Sequence, residues 1–177
     1  MRITLVRHGQ TEENFLHNIQ GRRNVLMNDT GRRQCDRLRL KLNDKHFDYC
    51  YMSPLTRTVE TAFILVGDKV EMIPDKRLIE RDMGELEGKT DKMYNAYKFW
   101  DYDLNKNDFK IETVHEIFQR CISFLDYIKE KHKDKSILIV THGAPYRALR
   151  HLLNSHELKG NLFDGGIDNC QCEEFEL

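Results

Sequence analysis

The chain has 177 residues, a formal net charge of -1 and 32% charged residues. That length suits a single domain, 1–177, with one substantial core. The balanced charge gives no footing for nucleic acid or for a solvating acidic tail. No stretch approaches membrane-spanning length, and the apolar start, Ile3 to Val6, is too short for a signal peptide. Five cysteines, an odd number without paired spacing, fit reduced thiols in a cytoplasmic protein. Cys170 and Cys172, two apart, are expected on one face of a strand as core packing.

In chain order, Ile3 to Val6 is an unbroken apolar run that stops at Arg7-His8-Gly9, as a strand buried on both faces would. Asn28 offers an N-cap for a helix carrying Cys35, Leu38 and Leu42. Phe47 to Ser53 reads as a second strand. It ends in Ser53-Pro54, a cap followed by proline at the first helical position. Leu55, Val59, Ala62, Phe63 and Val66 then form an apolar helix stripe.

Val70 to Ile73 is a short third strand. Residues 89–110 carry Met93, Tyr97, Trp100 and Leu104 at helical spacing and predict a helix that packs on the core or covers a pocket. Val114, Ile117, Phe118, Cys121, Leu125 and Ile128 mark a long amphipathic helix. Ser136 to Thr141 is the clearest strand and halts at His142-Gly143. A helix with Pro145, Leu149, Leu152 and Leu153 follows, and a last strand covers Cys170 to Leu177. Strands alternating with helices imply an α/β three-layer sandwich whose central sheet is mostly parallel.

Two of these strands end in a histidine and a glycine: Val6-Arg7-His8-Gly9 and Val140-Thr141-His142-Gly143. Ligands of open α/β sheets bind outside the carboxyl ends of the strands, so the two histidines can share one pocket. Arg57 falls in a helix's first turn, where backbone N–H groups and the macrodipole favour an anion. Arg7 adds a guanidinium whose planar fork suits phosphate oxygens. Phosphoryl transfer needs an in-line nucleophile and neutralised equatorial oxygens. It also needs a proton for the leaving alkoxide. Imidazole can attack near neutral pH, and the run Leu78 to Gly88 supplies several acids among which spacing does not choose. No metal-ligand motif occurs, so no cofactor is expected.

The residues resemble the histidine phosphatase (phosphoglycerate mutase-like) superfamily. R-H-G-Q-T-x-x-N spans Arg7 to Asn14, with Gln20-Gly21 behind it. S-P-L-x-R follows at Ser53 to Arg57, with Thr61-Ala62 behind it. L-x-E-x-x-x-G-x-x-E-G then covers Leu78 to Gly88, Thr-His-Gly stands at 141 to 143, and Asn169 opens the last strand. The resemblance implies that His8 is phosphorylated in the catalytic cycle and that Glu80 is the general acid and later the base. It implies a catalytic set of His8, Glu80, Arg7, Arg57 and His142. The phosphate site it implies comprises Arg7, His8, Asn14, Gln20, Gly21, Arg57, His142 and Gly143, and neither metal nor cofactor is needed. Departures from the pattern are modest: Asn24 stands where aspartate is frequent, and Thr141 replaces a common serine.

Mutases of this superfamily carry a longer insertion after the Glu-Gly motif, with paired arginines, and a C-terminal tail over the site. Here Lys89 to Lys110 contains no arginine and the sequence ends on its last strand, which favours a phosphatase for small phosphorylated metabolites. The alternatives are a phosphoglycerate mutase, a protein phosphohistidine phosphatase, and a non-catalytic phospholigand-binding module. Oligomeric state is left open, a dimer included. Gln20-Gly21-Arg22-Arg23 places an arginine at the pocket mouth or leaves both solvated. The six other histidines show no ligand spacing.

Overall fold

A computed structural model describes residues 1–177. Strands β1 (Arg2–Arg7), β2 (Tyr49–Met52), β3 (Glu71–Pro74), β4 (Ser136–Thr141) and β5 (Cys172–Glu176) form one sheet in the order β3-β2-β4-β1-β5. The first four are mutually parallel, and β5 runs antiparallel to β1 at the edge. The helices are α1 (Glu12–Phe15), α2 (Asp29–Lys41), α3 (Thr56–Val66), α4 (Ala96–Phe99), α5 (Val114–Lys131) and α6 (Gly143–Leu153).

Alternation along the strands sorts the two faces. Ile3, Leu5, Tyr51, Ile137 and Ile139 pack with α5 and α6 in the larger core, while Val6, Cys50, Met52, Leu138 and Val140 pack with α2 and α3. All six residues of β4 are buried, as an unbroken apolar run in the middle of a parallel sheet requires. The expected three-layer α/β sandwich is therefore present.

Asn28 caps α2 as expected, its side chain accepting from the Gly31 N–H at 2.9 Å. Four local expectations are corrected. Helix α3 begins at Thr56 rather than Pro54, and its cap comes from afar: Asn24 Oδ1 accepts from the Thr56 N–H at 2.8 Å. Phe63 is 61% exposed and does not belong to the buried stripe. Cys170 precedes β5 in a left-handed turn (φ 58°) instead of sharing a strand face with Cys172; its Sγ lies 3.5 Å from that of Cys35.

Finally, 89–110 is not one helix. Only α4 and two single 3₁₀ turns, Asp91–Met93 and Asp108–Lys110, form there. Trp100 and Phe99 are buried, whereas Met93, Tyr97 and Leu104 are more than half exposed.

Candidate active site

Register decides where the site sits. Arg7 pairs with Thr141 and Met52 with Val140, so His8, Ser53 and His142 leave the sheet at one level, beyond the carboxyl ends of three parallel strands. The His8 N–H donates to the Thr141 carbonyl at 3.0 Å, and the Ser53 N–H to the Val140 carbonyl at 3.1 Å. The two imidazoles meet edge to face with centroids 5.2 Å apart. Gly9 is obligatory at this turn, since a Cβ there would come within 3 Å of Met27 Sδ, the Gly31 carbonyl and Cys35 Sγ.

The tautomers follow from the partners. A carbonyl only accepts, so His8 Nδ1 carries the proton it donates to Gly9 O at 2.7 Å, and Nε2 keeps its lone pair. A guanidinium only donates, so His142 Nδ1 accepts from Arg57 Nε at 3.1 Å, and His142 Nε2–H donates to Ser53 Oγ at 2.7 Å. Burial, reinforced by Arg57 and Arg7, pushes His8 well below the usual histidine value. His142 is lowered the same way, by burial first and then by Arg57, His8 and Arg7.

Arg57 has no exposed surface and no carboxylate within ion-pair distance. Its other two nitrogens donate to carbonyls, Nη1 to Arg23 at 2.8 Å and Nη2 to Gly21 at 3.0 Å. Burial pushes it down to about 10. A cation held dry without a fixed counterion is a standing demand for an anion. Gly21 sits at φ 52°, and a Cβ there would overlap the Glu87 carboxylate, so glycine is needed where the loop turns to face Arg57. Arg7 Nη1 donates to the Ile167 carbonyl, while its buried Nε has no protein partner.

Glu80 rests on the N-terminus of α6. Oε2 accepts from the Gly143 N–H at 3.1 Å, and Oε1 from the Ala144 and Arg81 N–H groups at 3.1 and 2.8 Å. A methyl group on Gly143 would touch both Glu80 Oε2 and Arg7 Nε, so acid and arginine share this corner. Asn14 Oδ1 accepts from the Thr11 N–H at 3.2 Å and from Asn169 Nδ2 at 3.2 Å. Gln20 Oε1 accepts from Thr11 Oγ1 at 2.9 Å. Both amide NH₂ groups are left without a protein acceptor. Asn169 Nδ2 also donates to the His8 carbonyl at 3.0 Å, although it lies before β5 rather than opening it.

The predicted residues thus converge, with two qualifications. The Gly143 N–H is taken by Glu80 and the His142 Nε2–H by Ser53, so an incoming phosphate must displace these partners to use them. Glu112 and Arg120 stand outside every sequence motif yet brace the Glu80 loop, Glu112 from just before α5 and Arg120 from within it; a capping box of Thr113 and Glu116 is the one local signal beside them. Arg22 pairs with Asp82 and Glu112 at 3.3 and 3.2 Å. Arg23 pairs with Glu13 at 3.2 Å and is 43% exposed.

Residues 3–177 match the histidine phosphatase superfamily (branch 1). The chain belongs to that superfamily. It is 33% identical to phosphoglycerate mutase-like protein 4 of Arabidopsis thaliana, over 92% of this chain and 80% of that protein. It is 28% identical to phosphoserine phosphatase 1 of Hydrogenobacter thermophilus, over 96% of this chain and 83% of that one. Its fold overlays the solved structure of Bacillus stearothermophilus YhfR with a TM-score of 0.88 at 25% identity, covering 99% and 91% of the two chains. This histidine phosphatase superfamily member is an enzyme of the phosphatase and mutase-like kind. No helix in it is long and apolar enough to cross a membrane.

Proposed function

We propose that this enzyme hydrolyses small phosphate monoesters in two steps, with His8 Nε2 as nucleophile. The observation that carries the reading is the His8 imidazole itself. Its Nδ1 is committed to Gly9 O at 2.7 Å, and burial, reinforced by Arg57 and Arg7, holds the ring neutral, leaving the Nε2 lone pair as its one free function. Arg7 and Arg57 neutralise the equatorial oxygens, and the NH₂ groups of Asn14 and Gln20 donate to them; Gly143 and His142 join when their present partners turn away.

In the first step the Nε2–phosphorus bond forms, the ester P–O bond breaks, and Glu80 gives its proton to the leaving alkoxide. In the second, water attacks phosphorus, Glu80 takes a proton from that water, and the P–N bond breaks to release orthophosphate and neutral His8.

Water rather than a sugar acid is the acceptor in this reading, because the 89–110 segment contains no arginine to hold an acceptor's carboxylate while it turns. Phosphoserine heads the substrates to test, after the Hydrogenobacter relative's name. Five free thiols fit a reducing cytoplasmic compartment. The experiment is a metabolite-phosphate panel with orthophosphate release as readout, in which 3-phosphoglycerate is scored for both hydrolysis and isomerisation. Release of phosphate from phosphoserine-like monoesters without isomerisation supports the reading; faster isomerisation than hydrolysis of 3-phosphoglycerate makes it a mutase.

A further inference from the structure

Glu112 lies outside every motif of the sequence, one residue before the Thr113 cap of α5, yet it touches all sides of the loop that carries Glu80. Its carboxylate, 9% exposed, accepts from Arg120 Nε and Nη2 at 2.7 and 3.1 Å, from Arg22 Nη2 at 3.2 Å, and from the Asp82 N–H at 3.2 Å. Its main chain grips the same loop: the Glu112 N–H donates to Asp82 O at 2.9 Å, and its carbonyl accepts from Arg81 Nε at 2.7 Å. Both arginines then reach further. Arg22 Nε donates to the carbonyl of Glu80 itself at 3.1 Å, and Arg120 Nη1 to the carbonyl of Arg77 at 2.6 Å.

We infer that Glu112, acting through Arg22 and Arg120, is the positioning residue for the general acid. The inference rests on the reading of Glu80 as that acid. One largely dehydrated carboxylate shared by two guanidiniums fixes residues 77, 80, 81 and 82 at once. Three of these four are held through their backbones, and the side chain of Arg81 is tied to the Glu112 carbonyl. Such a cluster is a poor source of net stability, because the desolvation of its charges offsets their attraction. It is a good source of geometry, since each nitrogen of the Arg22 and Arg120 forks faces a fixed acceptor. Glu80 reaches the Gly143 and Ala144 N–H groups only if its backbone stands where Arg22 and Glu112 hold it. A misplacement of about 1 Å at such a group can reduce a rate by roughly 100-fold.

The test is Glu112→Gln, assayed on phosphoserine, whose alkoxide leaves only with a proton, and on p-nitrophenyl phosphate, whose phenolate leaves without one. The variant should lose about tenfold or more in kcat/KM on phosphoserine and less than about twofold in kcat/KM on the activated ester, since kcat/KM reports the phosphorylation step, in which only the poor leaving group needs the proton. In the double variant Glu80→Gln/Glu112→Gln the phosphoserine rate should equal that of Glu80→Gln alone. Equal losses on the two esters, or losses that add in the double variant, would show a merely structural role and overturn the inference. A leaving-group-selective loss in Glu80→Gln that Glu112→Gln does not share overturns the positioning role alone. Absence of selectivity in Glu80→Gln itself removes the general-acid reading and this inference with it. Arg22→Gln, which leaves the Glu112–Arg120 pair intact, should show the same selectivity and serves if Glu112→Gln does not fold.

Discussion

Replacing Arg57 with alanine separates catalytic from structural demand in an unusual way. In the native protein its three nitrogen positions are satisfied by His142 Nδ1 and by the carbonyls of Arg23 and Gly21. Removing the side chain strands these acceptors, at about 1–3 kcal/mol for each that water fails to reach. It also removes a buried cation without an ion-pair partner. The drop from 12.5 to about 10 corresponds to roughly 3 kcal/mol of penalty on the charged form, which the variant no longer carries. With water entering the vacated space and reaching two of the three acceptors, the two effects oppose each other with similar size, so Tm should change little. Catalysis has no such compensation, because the dianion and its transition state lose a preorganised donor, about 3 kcal/mol or roughly 100-fold in kcat/KM. Thermal unfolding and orthophosphate inhibition measured on the same preparations check both halves. A Tm within a few degrees, a loss of about 100-fold in kcat/KM and weakened inhibition by orthophosphate are expected. A loss in kcat/KM under twofold would place Arg57 outside the phosphate site, and a collapse in Tm would show that its role is structural.

Other perturbations follow from the same geometry. His8 and His142 are both lowered from 6.5 by burial and are neutral in the folded protein, so the unfolded chain binds more protons just below that value and stability is lost as pH falls through it. Each contributes up to about 1.4 kcal/mol per pH unit to this loss; a Tm flat from pH 7 to pH 5 would contradict the buried neutral state. Gly21→Ala should destabilise the fold by more than about 1 kcal/mol in urea unfolding and weaken orthophosphate binding, because the added Cβ meets Glu87 at a positive φ; an unchanged midpoint and affinity would show that the loop adapts. Activity should survive dialysis against EDTA, since guanidiniums supply the charge neutralisation; loss restored by a divalent cation would refute that.

Much of the site was legible because its residues stand where short apolar runs stop. Ile3 to Val6 and Ser136 to Thr141 end in His-Gly, and a parallel sheet brings such ends to one edge whatever the helices between them do. What was not legible depends on contacts distant in sequence. Met93, Tyr97 and Leu104 have helical spacing but do not bury. The segment is held instead by Phe99 and Trp100, by an antiparallel bridge between Asp101 and Asn161, and by the Tyr102 N–H bonded to Gly160 O at 2.8 Å. Asn and Asp residues through 95–108 turn the chain where a helix would continue. Helix α3 starts later than Ser53-Pro54 implies for a related reason: Ser53 Oγ serves His142, and the cap arrives from Asn24. Glu112 carried no signal, since an acidic residue before a helix is ordinary until the arginines around it are seen.

The covalent step at His8 is the centre of the mechanism. Turnover of a ³²P-labelled monoester quenched in alkali, followed by mass-spectrometric localisation, tests it directly. The label is expected to be stable in alkali and lost in acid, to reside on His8 and to be absent from His8→Ala. Stoichiometric phosphoenzyme in His8→Ala, or a label on a hydroxyl side chain, would contradict it.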